Sequence, residues 1–297
     1  NYEKSRINRL MNGFVLINKP CGMTSFKVTG AVKHKTGEKR CGHAGTLDPL
    51  ATGVLPVMIG RATRLIDLID DNKKVYKASM VFGLTTDTLD CEGKVLSDQP
   101  VNLTADEIKS VLKEFLGEIT QIPPMYSALS KDGVKLYKLA RQGIEVERKP
   151  RKTTIFSIEL LKFDGVDTAE ILVECSKGTY IRTLIDDIGM RLKCGAYMNR
   201  LQRVRGSGFT VDDCISLDEF MDSDLSKTVI PADKAVACFP AVAVTIPQSK
   251  RFSNGNELDL KRLKIKEKSI YYRVYCEEKF LGLGEIKGET LKPKCVF

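Results

Sequence analysis

The densest group of residues able to do chemistry is a glycine-rich segment, residues 42–53, with the sequence GHAGTLDPLATG. It contains three glycines, one proline and a single carboxylate, Asp48. Pro49 biases the backbone of Asp48 away from the helical region, so we expect an extended loop. A carboxylate held between Leu47 and Leu50 is partly desolvated and needs a cation nearby. The pattern alone leaves two interpretations open, a catalytic carboxylate or an ordinary Asp-Pro turn at the surface.

The other reactive side chains exclude several kinds of site. The sequence has only two histidines, His34 and His43, which argues against a histidine-built metal centre or a Ser-His-Asp triad. Its nine cysteines include no pair at CxxC spacing, which favours reduced thiols over a zinc site or a disulfide framework. The glycine-rich segment matches neither GxGxxG nor GxxxxGK(S/T), so it does not predict a nucleotide-binding loop. We therefore expect neither a metal centre nor a bound nucleotide cofactor.

The elements that must position Asp48 are strands and helices in no regular alternation. Short apolar runs or alternating patterns predict strands at 14–17, 54–59, 76–82, 153–163, 170–175 and 201–205. Apolar residues spaced three and four apart, with caps such as the Thr104–Glu107 capping box, predict helices at 24–37, 62–69, 104–117, 134–141 and 180–192. Residues 38–53 are predicted to form a loop. This mixture indicates the α+β class.

The chain divides into a large first region and a small last one. Residues 213–230 are acidic and lack strong periodicity, so we interpret them as a link between two domains. From residue 231 onward the pattern favours short strands, with 270–275 and 280–286 forming a hairpin. Residues 125–150 follow two prolines and are polar and basic, which favours an excursion from the core.

The charge is positive and concentrated at the two ends of the chain. Lysine and arginine number 47 against 38 acidic residues, a net charge of +9. Residues 1–50 have nine basic and three acidic side chains, and residues 251–297 have eleven and seven. Two basic ends favour binding to a polyanion, although a solvated lysine-rich surface fits the same numbers. No apolar run approaches the roughly 20 residues of a membrane span, and the polar N-terminus is unlike a secretory signal, so we expect a cytoplasmic protein.

Five segments resemble, in order, the motifs of the bacterial tRNA pseudouridine-55 synthases, the TruB family. They are residues 13–25, 43–53, 74–78, 177–184 and 201–205. The resemblance implies a catalytic domain at 13–230, built on a mixed, mostly antiparallel sheet flanked by helices and preceded by an extension, 1–12. It also implies an RNA-gripping thumb at 125–150 and a small PUA-like RNA-binding β domain at 231–297.

The same resemblance implies the roles of five side chains around a flipped uracil. Asp48 matches the nucleophile, and Arg182 matches the arginine that pairs with it, where a guanidinium fork would hold both carboxylate oxygens. Tyr76 matches the tyrosine that stacks on the base and helps to move a proton. Tyr180 resembles a substrate-contacting tyrosine, and Leu201 resembles the apolar wall of the base pocket.

Four further residues are implied to contact the RNA. His43 resembles the histidine that takes the space vacated when bases flip out of the RNA loop. Lys19, Arg64 and Arg141 are weaker candidates for binding the RNA backbone, the last as part of the basic thumb. A solvated basic loop remains the alternative interpretation of that segment.

The implied function is isomerisation of uridine 55 in the T-loop of tRNA to pseudouridine, with no cofactor. The implied partner is the T-arm stem-loop, recognised by a monomer without an obligatory protein partner and without a membrane. Two alternatives are a guide-RNA-dependent relative that modifies ribosomal RNA, and a non-catalytic tRNA-binding protein or folding chaperone.

Overall fold

The computed structural model describes residues 11–69, 72–127, 129–131, 133–265 and 267–297. Of the expected N-terminal extension, residues 1–10 therefore lie outside the described residues. None of the helices within those ranges has the length and apolar character that a membrane crossing requires.

The strands and helices of the described residues follow one another in a mixed order. The strands are β1 (Gly13–Lys19), β2 (Cys41–His43), β3 (Thr52–Ile59), β4 (Lys73–Phe82), β5 (Leu84–Thr86), β6 (Val95–Asp98), β7 (Gly117–Gln121), β8 (Ser130–Lys131), β9 (Val134–Lys135), β10 (Arg151–Phe163), β11 (Thr168–Ser176), β12 (Ala196–Gly206), β13 (Phe209–Thr210), β14 (Ile215–Ser216), β15 (Ile230–Pro231), β16 (Ala241–Ala243), β17 (Leu258–Asp259), β18 (Tyr271–Cys276), β19 (Lys279–Lys287) and β20 (Thr290–Val296). The α-helices are α1 (Ser25–Thr36), α2 (Ala105–Glu114), α3 (Leu136–Arg141), α4 (Ile181–Arg191), α5 (Leu217–Asp222), α6 (Leu225–Thr228) and α7 (Ile246–Ser253). Tighter 3-10 segments lie at Gly60–Leu68, Val211–Asp213, Ala232–Val236 and Leu260–Arg262.

One large mixed sheet organises the first part of the chain. Its main path runs β14-β1-β3-β12-β4-β11-β10-β7, and β2, β13 and β15 pair at its sides. The β1–β14 and β3–β12 pairs are parallel, whereas the other pairs of this sheet are antiparallel. The expected α+β fold with a mixed, mostly antiparallel sheet is therefore confirmed.

Local sequence signals place the helices that flank this sheet. Thr24 caps α1 by accepting a hydrogen bond from the backbone of Lys27, and Gly37 ends it with φ at 69°. The capping box between Thr104 and Glu107 is present at the start of α2. These signals predict the helix ends correctly because caps depend on local hydrogen bonds rather than on distant packing.

Two apolar layers hold the sheet and fix the strands that carry the site. On one face, alternate residues of β4 pack with α2 and α4 in a cluster that includes Met80, Ile108 and Ile185. Elsewhere, α1 and α5 pack on β1 and β3 through residues such as Val28 and Phe220. Both layers consist of side chains almost fully removed from water, so the intervening strands are rigid supports.

Three predictions of local structure are wrong. Residues 62–69, predicted as an α-helix, lie mostly in the tighter 3-10 segment Gly60–Leu68. The predicted loop at 38–53 contains β2, which pairs with β3. Residues 213–230 are not a link, because β14 pairs with β1 and Phe220 is 0% exposed in the core. The segment instead contains two short capped helices, α5 and α6, and α5 packs against the large sheet.

The last part of the chain forms a second sheet in the order β16-β18-β19-β20-β17. The predicted hairpin is confirmed as β18–β19. Residues of Ala232–Val236 pack both with Phe14 of the large sheet and with Leu283 of the small one. We therefore propose that the first domain ends after this segment, a few residues beyond the boundary at 230 expected from the sequence.

Candidate active site

The loop that carries Asp48 is fixed on both sides by the segment that leads from β1 into α1. The Ser25 hydroxyl accepts a hydrogen bond from the Leu47 backbone N–H at 2.9 Å and donates to the Leu47 carbonyl at 3.1 Å. On the other side of Asp48, the carbonyl of Pro49 accepts a hydrogen bond from the Gly22 N–H at 2.9 Å. Asp48 is therefore held between two anchored neighbours, which orients its side chain without using it.

Lys19 belongs to this anchoring segment and not to an RNA-binding surface. Its side chain is 0% exposed, and its ammonium donates to the carbonyls of Pro20, Met23 and Pro49. Burial lowers the pKa of the ammonium to about 8, while Cys21 and Asp48 act in the opposite direction. The expectation that Lys19 contacts RNA is thus corrected, because a cation satisfied inside the protein cannot reach a phosphate.

The guanidinium of Arg182 pairs with Asp48, with Nη2 2.9 Å from Asp48 Oδ2. The same Nη2 donates to the Tyr126 carbonyl at 2.7 Å, and Nη1 donates to the Thr88 carbonyl at 3.2 Å. Nη1 also lies 3.6 Å from Asp90 Oδ2. The expected fork on both oxygens of Asp48 is wrong, because the two ends of the guanidinium serve two different carboxylates.

The surroundings of Asp48 oppose one another electrostatically. Burial raises the pKa of its carboxyl, Arg182 lowers it, and the negative charge of Asp90 raises it again. Arg182 and Asp90 have side chains only 4% and 6% exposed, whereas the Asp48 side chain is 36% exposed. Arg182 and Asp90 are therefore buried beneath Asp48, and Asp48 is the carboxylate of the three residues that solvent can reach.

Asp48 lines a cavity of about 240 Å³. Pockets for drug-sized ligands measure about 300–1,000 Å³, so this smaller cavity suits a ligand of about the size of a single nucleobase. Residues of the loop that carries Asp48, of β4, of the start of α4 and of β12 surround it. The lining residues are Gly45, Thr46, Leu47, Asp48, Lys74, Tyr76, Ser127, Gly178, Thr179, Tyr180, Ile181, Arg182 and Leu201. Five of the residues proposed from the sequence, those implied to surround a uracil, are thus brought together.

Tyr76 lies on this wall beside Arg203, its partner in the pairing of β4 with β12. Arg203 is 2% exposed and donates to the carbonyls of Val54 at 2.8 Å and Gly45 at 3.0 Å. Burial raises the pKa of the Tyr76 hydroxyl, and the Arg203 guanidinium acts against that shift. The contact between Arg203 and Tyr76 was not among the predictions, although the two-residue spacing from Leu201 puts Arg203 on the same face of the strand.

Tyr180 and the start of α4 are clamped by Gln121 of β7, a second residue missed from the sequence. Gln121 is 2% exposed, and its side chain accepts from the Tyr180 N–H at 3.0 Å and donates to the Tyr180 carbonyl at 3.2 Å. Because Arg182 follows two residues later, this clamp positions the guanidinium as well. An isolated glutamine carries no sequence signal for such a contact.

The three remaining candidates are not among the lining residues of the cavity. The two ring nitrogens of His43 lie 2.9 Å from the Thr29 hydroxyl and 3.3 Å from the Thr46 hydroxyl. Burial and the nearby Arg203 lower the pKa of its imidazole, which favours the neutral ring. Arg64 and Arg141 are both exposed.

Each of the two exposed arginines has a partner within the protein. Arg64 reaches the Val296 carbonyl of the small sheet at 3.4 Å. Arg141 ends α3 and lies 5.7 Å from the ring centre of Tyr137. Both remain proposed RNA contacts rather than parts of the pocket. Within the described ranges, no group of three or more His, Cys, Asp or Glu side chains could hold a metal ion.

Three family models match the chain in sequence. The model for the TruB family pseudouridylate synthase N-terminal domain matches residues 33–181. The tRNA pseudouridylate synthase B C-terminal domain matches 182–237, and the C-terminal domain of pseudouridine synthase II TruB matches 240–297.

Known proteins match the chain over most of its length. The tRNA pseudouridine synthase B of Clostridium perfringens strain ATCC 13124 is 46% identical over 93% of this chain and 95% of its own. The protein of the same name from Azoarcus sp. strain BH72 is 40% identical over 96% and 95%.

Solved structures agree with these matches. A chain in an H/ACA RNP bound to a substrate RNA containing 2'-deoxyuridine superposes with a TM-score of 0.72 and 25% identity, covering 99% of this chain and 87% of that one. A chain of a Cbf5-Nop10-Gar1 complex gives 0.72 and 27%, covering 96% and 84%. Together with the family models and the close relatives, they establish that this chain belongs to the TruB family of pseudouridine synthases.

Proposed function

We propose that this protein isomerises uridine 55 in the T-loop of tRNA to pseudouridine, with Asp48 as its nucleophile. The observation that carries the proposal is the ion pair between Asp48 and the buried Arg182, 2.9 Å apart, at the edge of a cavity sized for one base. An oriented carboxylate beside a pocket lined by the aromatic side chains of Tyr76 and Tyr180 is what this isomerisation requires. The names of the close relatives support tRNA as the substrate.

The reaction exchanges one bond between base and sugar for another. The glycosidic bond from C1' to N1 breaks, and a bond from the same C1' to C5 of the uracil forms. The hydrogen of C5 leaves as a proton and N1 gains one, so atoms and charge balance without an oxidant or reductant. Asp48 can attack covalently or stabilise positive charge at the sugar, as carboxylates do in glycosidases.

Two side chains prepare the base for this exchange. The target uridine has to leave its stack to reach Asp48, and Tyr76 offers an aromatic face on which the flipped uracil can lie. The Tyr76 hydroxyl can take part in moving the C5 proton. Leu201, 8% exposed on β12, provides the apolar side of the pocket and keeps water from the reacting sugar.

Binding of the RNA is proposed to use the thumb, the small sheet and the charge of the chain. The net charge of +9 favours contact with phosphates, which a protein reading a folded RNA loop meets on all sides. We infer a monomer that recognises the T-arm without an obligatory protein partner and acts in the cytoplasm. Guide-RNA dependence and a purely binding role are not favoured, because the close relatives are named tRNA pseudouridine synthases. The side chains proposed for catalysis, Asp48, Tyr76 and Arg182, are also all present.

The proposal is tested by incubating the protein with an unmodified tRNA transcript and mapping pseudouridine along the RNA. We expect conversion at position 55 and at no second uridine of the T-arm, without added metal or nucleotide. The same transcript with cytidine at position 55 is the control and should remain unmodified. Absence of pseudouridine in the first transcript, with the protein folded and binding tRNA, would contradict the proposal.

A further inference from the structure

Phe26 is the most exposed of the large apolar side chains in the described residues, at 81% of its surface. It lies in the first turn of α1, whose inner face is buried through Val28 and Val32. An aromatic ring left in water gains nothing for folding, since the apolar surface is not removed from solvent. The position therefore suggests a contact that forms only with a ligand.

The charge around Phe26 indicates the chemistry of that ligand. Residues 25–36 contain three lysines and no acidic residue. Lys27 and Lys33 are exposed, and so is Gly30 between them. A Cβ added at Gly30 would meet nothing within 4 Å, so a ligand backbone can approach the helix closely there. An exposed ring on the same helix as two exposed cations and a bare glycine is complementary to a nucleic acid strand.

This surface is tied directly to the catalytic loop. Ser25 makes both hydrogen bonds to the backbone of Leu47, the residue before Asp48. Phe26 is the next residue after Ser25, and neighbouring Cα atoms are about 3.8 Å apart. A nucleotide on Phe26 would therefore lie beside the loop that carries the catalytic carboxylate, not at a remote surface.

The far end of α1 does not share this character. The Lys35 ammonium donates to the Met221 carbonyl in α5, and the negative charge of Asp224 acts on the same lysine. The last turn of the helix is thus occupied by a contact within the protein and lies near the negative charge of Asp224. The part that suits RNA is the first two turns, from Phe26 to Lys33.

We propose that Phe26 stacks on an unpaired nucleotide of the RNA substrate next to the target uridine, while Lys27 and Lys33 contact the adjacent phosphates. The proposal rests on the function proposed above, and adds to it a substrate contact outside the pocket. Base stacking on an aromatic side chain tolerates any base, so this contact contributes affinity rather than sequence preference. It would help to hold the RNA loop open while the target base occupies the cavity.

The test compares tRNA affinity for the parent, Phe26→Ala, Phe26→Trp and Phe26→Leu. Loss of one stacked base predicts about tenfold weaker binding for Phe26→Ala. Phe26→Trp should bind like the parent because it keeps a ring, whereas Phe26→Leu should resemble Phe26→Ala. Val166→Ala is the matched control, because Val166 is 68% exposed and apolar but lies in the β10–β11 turn.

A salt titration separates the ring from the cations. Lys27→Gln should reduce the slope of log affinity against log salt by about one, and Phe26→Ala should leave that slope unchanged. Equal affinity of Phe26→Ala and the parent, with the parent converting tRNA, would overturn this inference and leave the proposed function intact. Affinity retained by Phe26→Leu would equally overturn the stacking contact. Failure of the parent to convert tRNA would instead contradict the proposed function.

Discussion

Replacing Arg182 by lysine preserves the positive charge beside Asp48 but removes the shape that the site uses. The guanidinium serves four acceptors from two nitrogens, Nη2 for Asp48 and the Tyr126 carbonyl, and Nη1 for Asp90 and the Thr88 carbonyl. A lysine ammonium is a single point on a flexible chain and cannot reach both groups of acceptors. Asp48 would then be free to rotate away from the sugar.

The cost of this change can be worked from the contacts. A hydrogen bond to a charged group contributes about 1.5–3 kcal/mol, and an acceptor left buried without a donor costs about 1–3 kcal/mol. Loss of the Asp48 contact, with partial relaxation elsewhere, gives about 2–4 kcal/mol in the transition state. We therefore expect Arg182→Lys to slow the reaction between about thirtyfold and about a thousandfold.

The assay is single-turnover conversion with enzyme in excess over tRNA, combined with a separate measurement of tRNA affinity. The rate should fall far more than the affinity, because the damage is to positioning and not to the net charge. Arg191→Lys is the matched control on the same helix, since its ion pair with Glu114 is exposed and worth little. A folded Arg182→Lys protein with the parent rate would refute the assignment of Arg182 as the residue that orients Asp48.

Three further perturbations test other parts of the site. Burial and Asp90 raise the pKa of Asp48, so the reaction rate should begin to fall, as the pH is lowered, at a pH above the ordinary carboxyl value of 3.8. Asp90→Asn removes one of these causes and should move this fall in rate to lower pH. The measurement is a pH profile of single-turnover rates for both proteins. Arg141→Gln should weaken tRNA binding and lower the salt slope by about one while leaving the rate at saturation unchanged, and an unchanged slope would return the thumb to a solvated loop. Lys19→Met should reduce the free energy of unfolding by about 2 kcal/mol, measured by urea denaturation, because three carbonyls lose their donor; a large loss of tRNA affinity with unchanged stability would restore Lys19 as an RNA contact.

The parts of the fold that the sequence predicted are those decided by neighbouring residues. Alternation in β4 and the capping box before α2 depend on local geometry, so each was recognised from the residues themselves. The prediction for the acidic segment 213–230 is wrong because, although Ser216 and Glu219 form a capping box, the short helix that follows is stabilised by packing of Phe220 against β1 and β3. Tertiary contacts of that kind leave no periodic signal in a stretch of six residues.

The site shows the same division. The proximity of Asp48, Tyr76 and Arg182, which are far apart in the sequence, was accessible only through the resemblance to a known family. Composition, periodicity and spacing contain no information on which strand crosses beside which loop. The contacts of Arg182 with two carboxylates, and the burial of Lys19, were not predicted for a further reason. A cation looks the same in sequence whether its partner is a phosphate in solvent or a carbonyl inside the protein.

The most direct test of the central claim, that Asp48 performs the isomerisation, is conversion of unmodified tRNA by Asp48→Asn. Asparagine keeps the size of the side chain but removes the ionised oxygen that attacks or stabilises the sugar. We predict that pseudouridine at position 55 is undetectable under single-turnover conditions, while tRNA affinity stays within about threefold of the parent. Conversion by Asp48→Asn at a rate near that of the parent would contradict the account and place the catalytic carboxylate elsewhere.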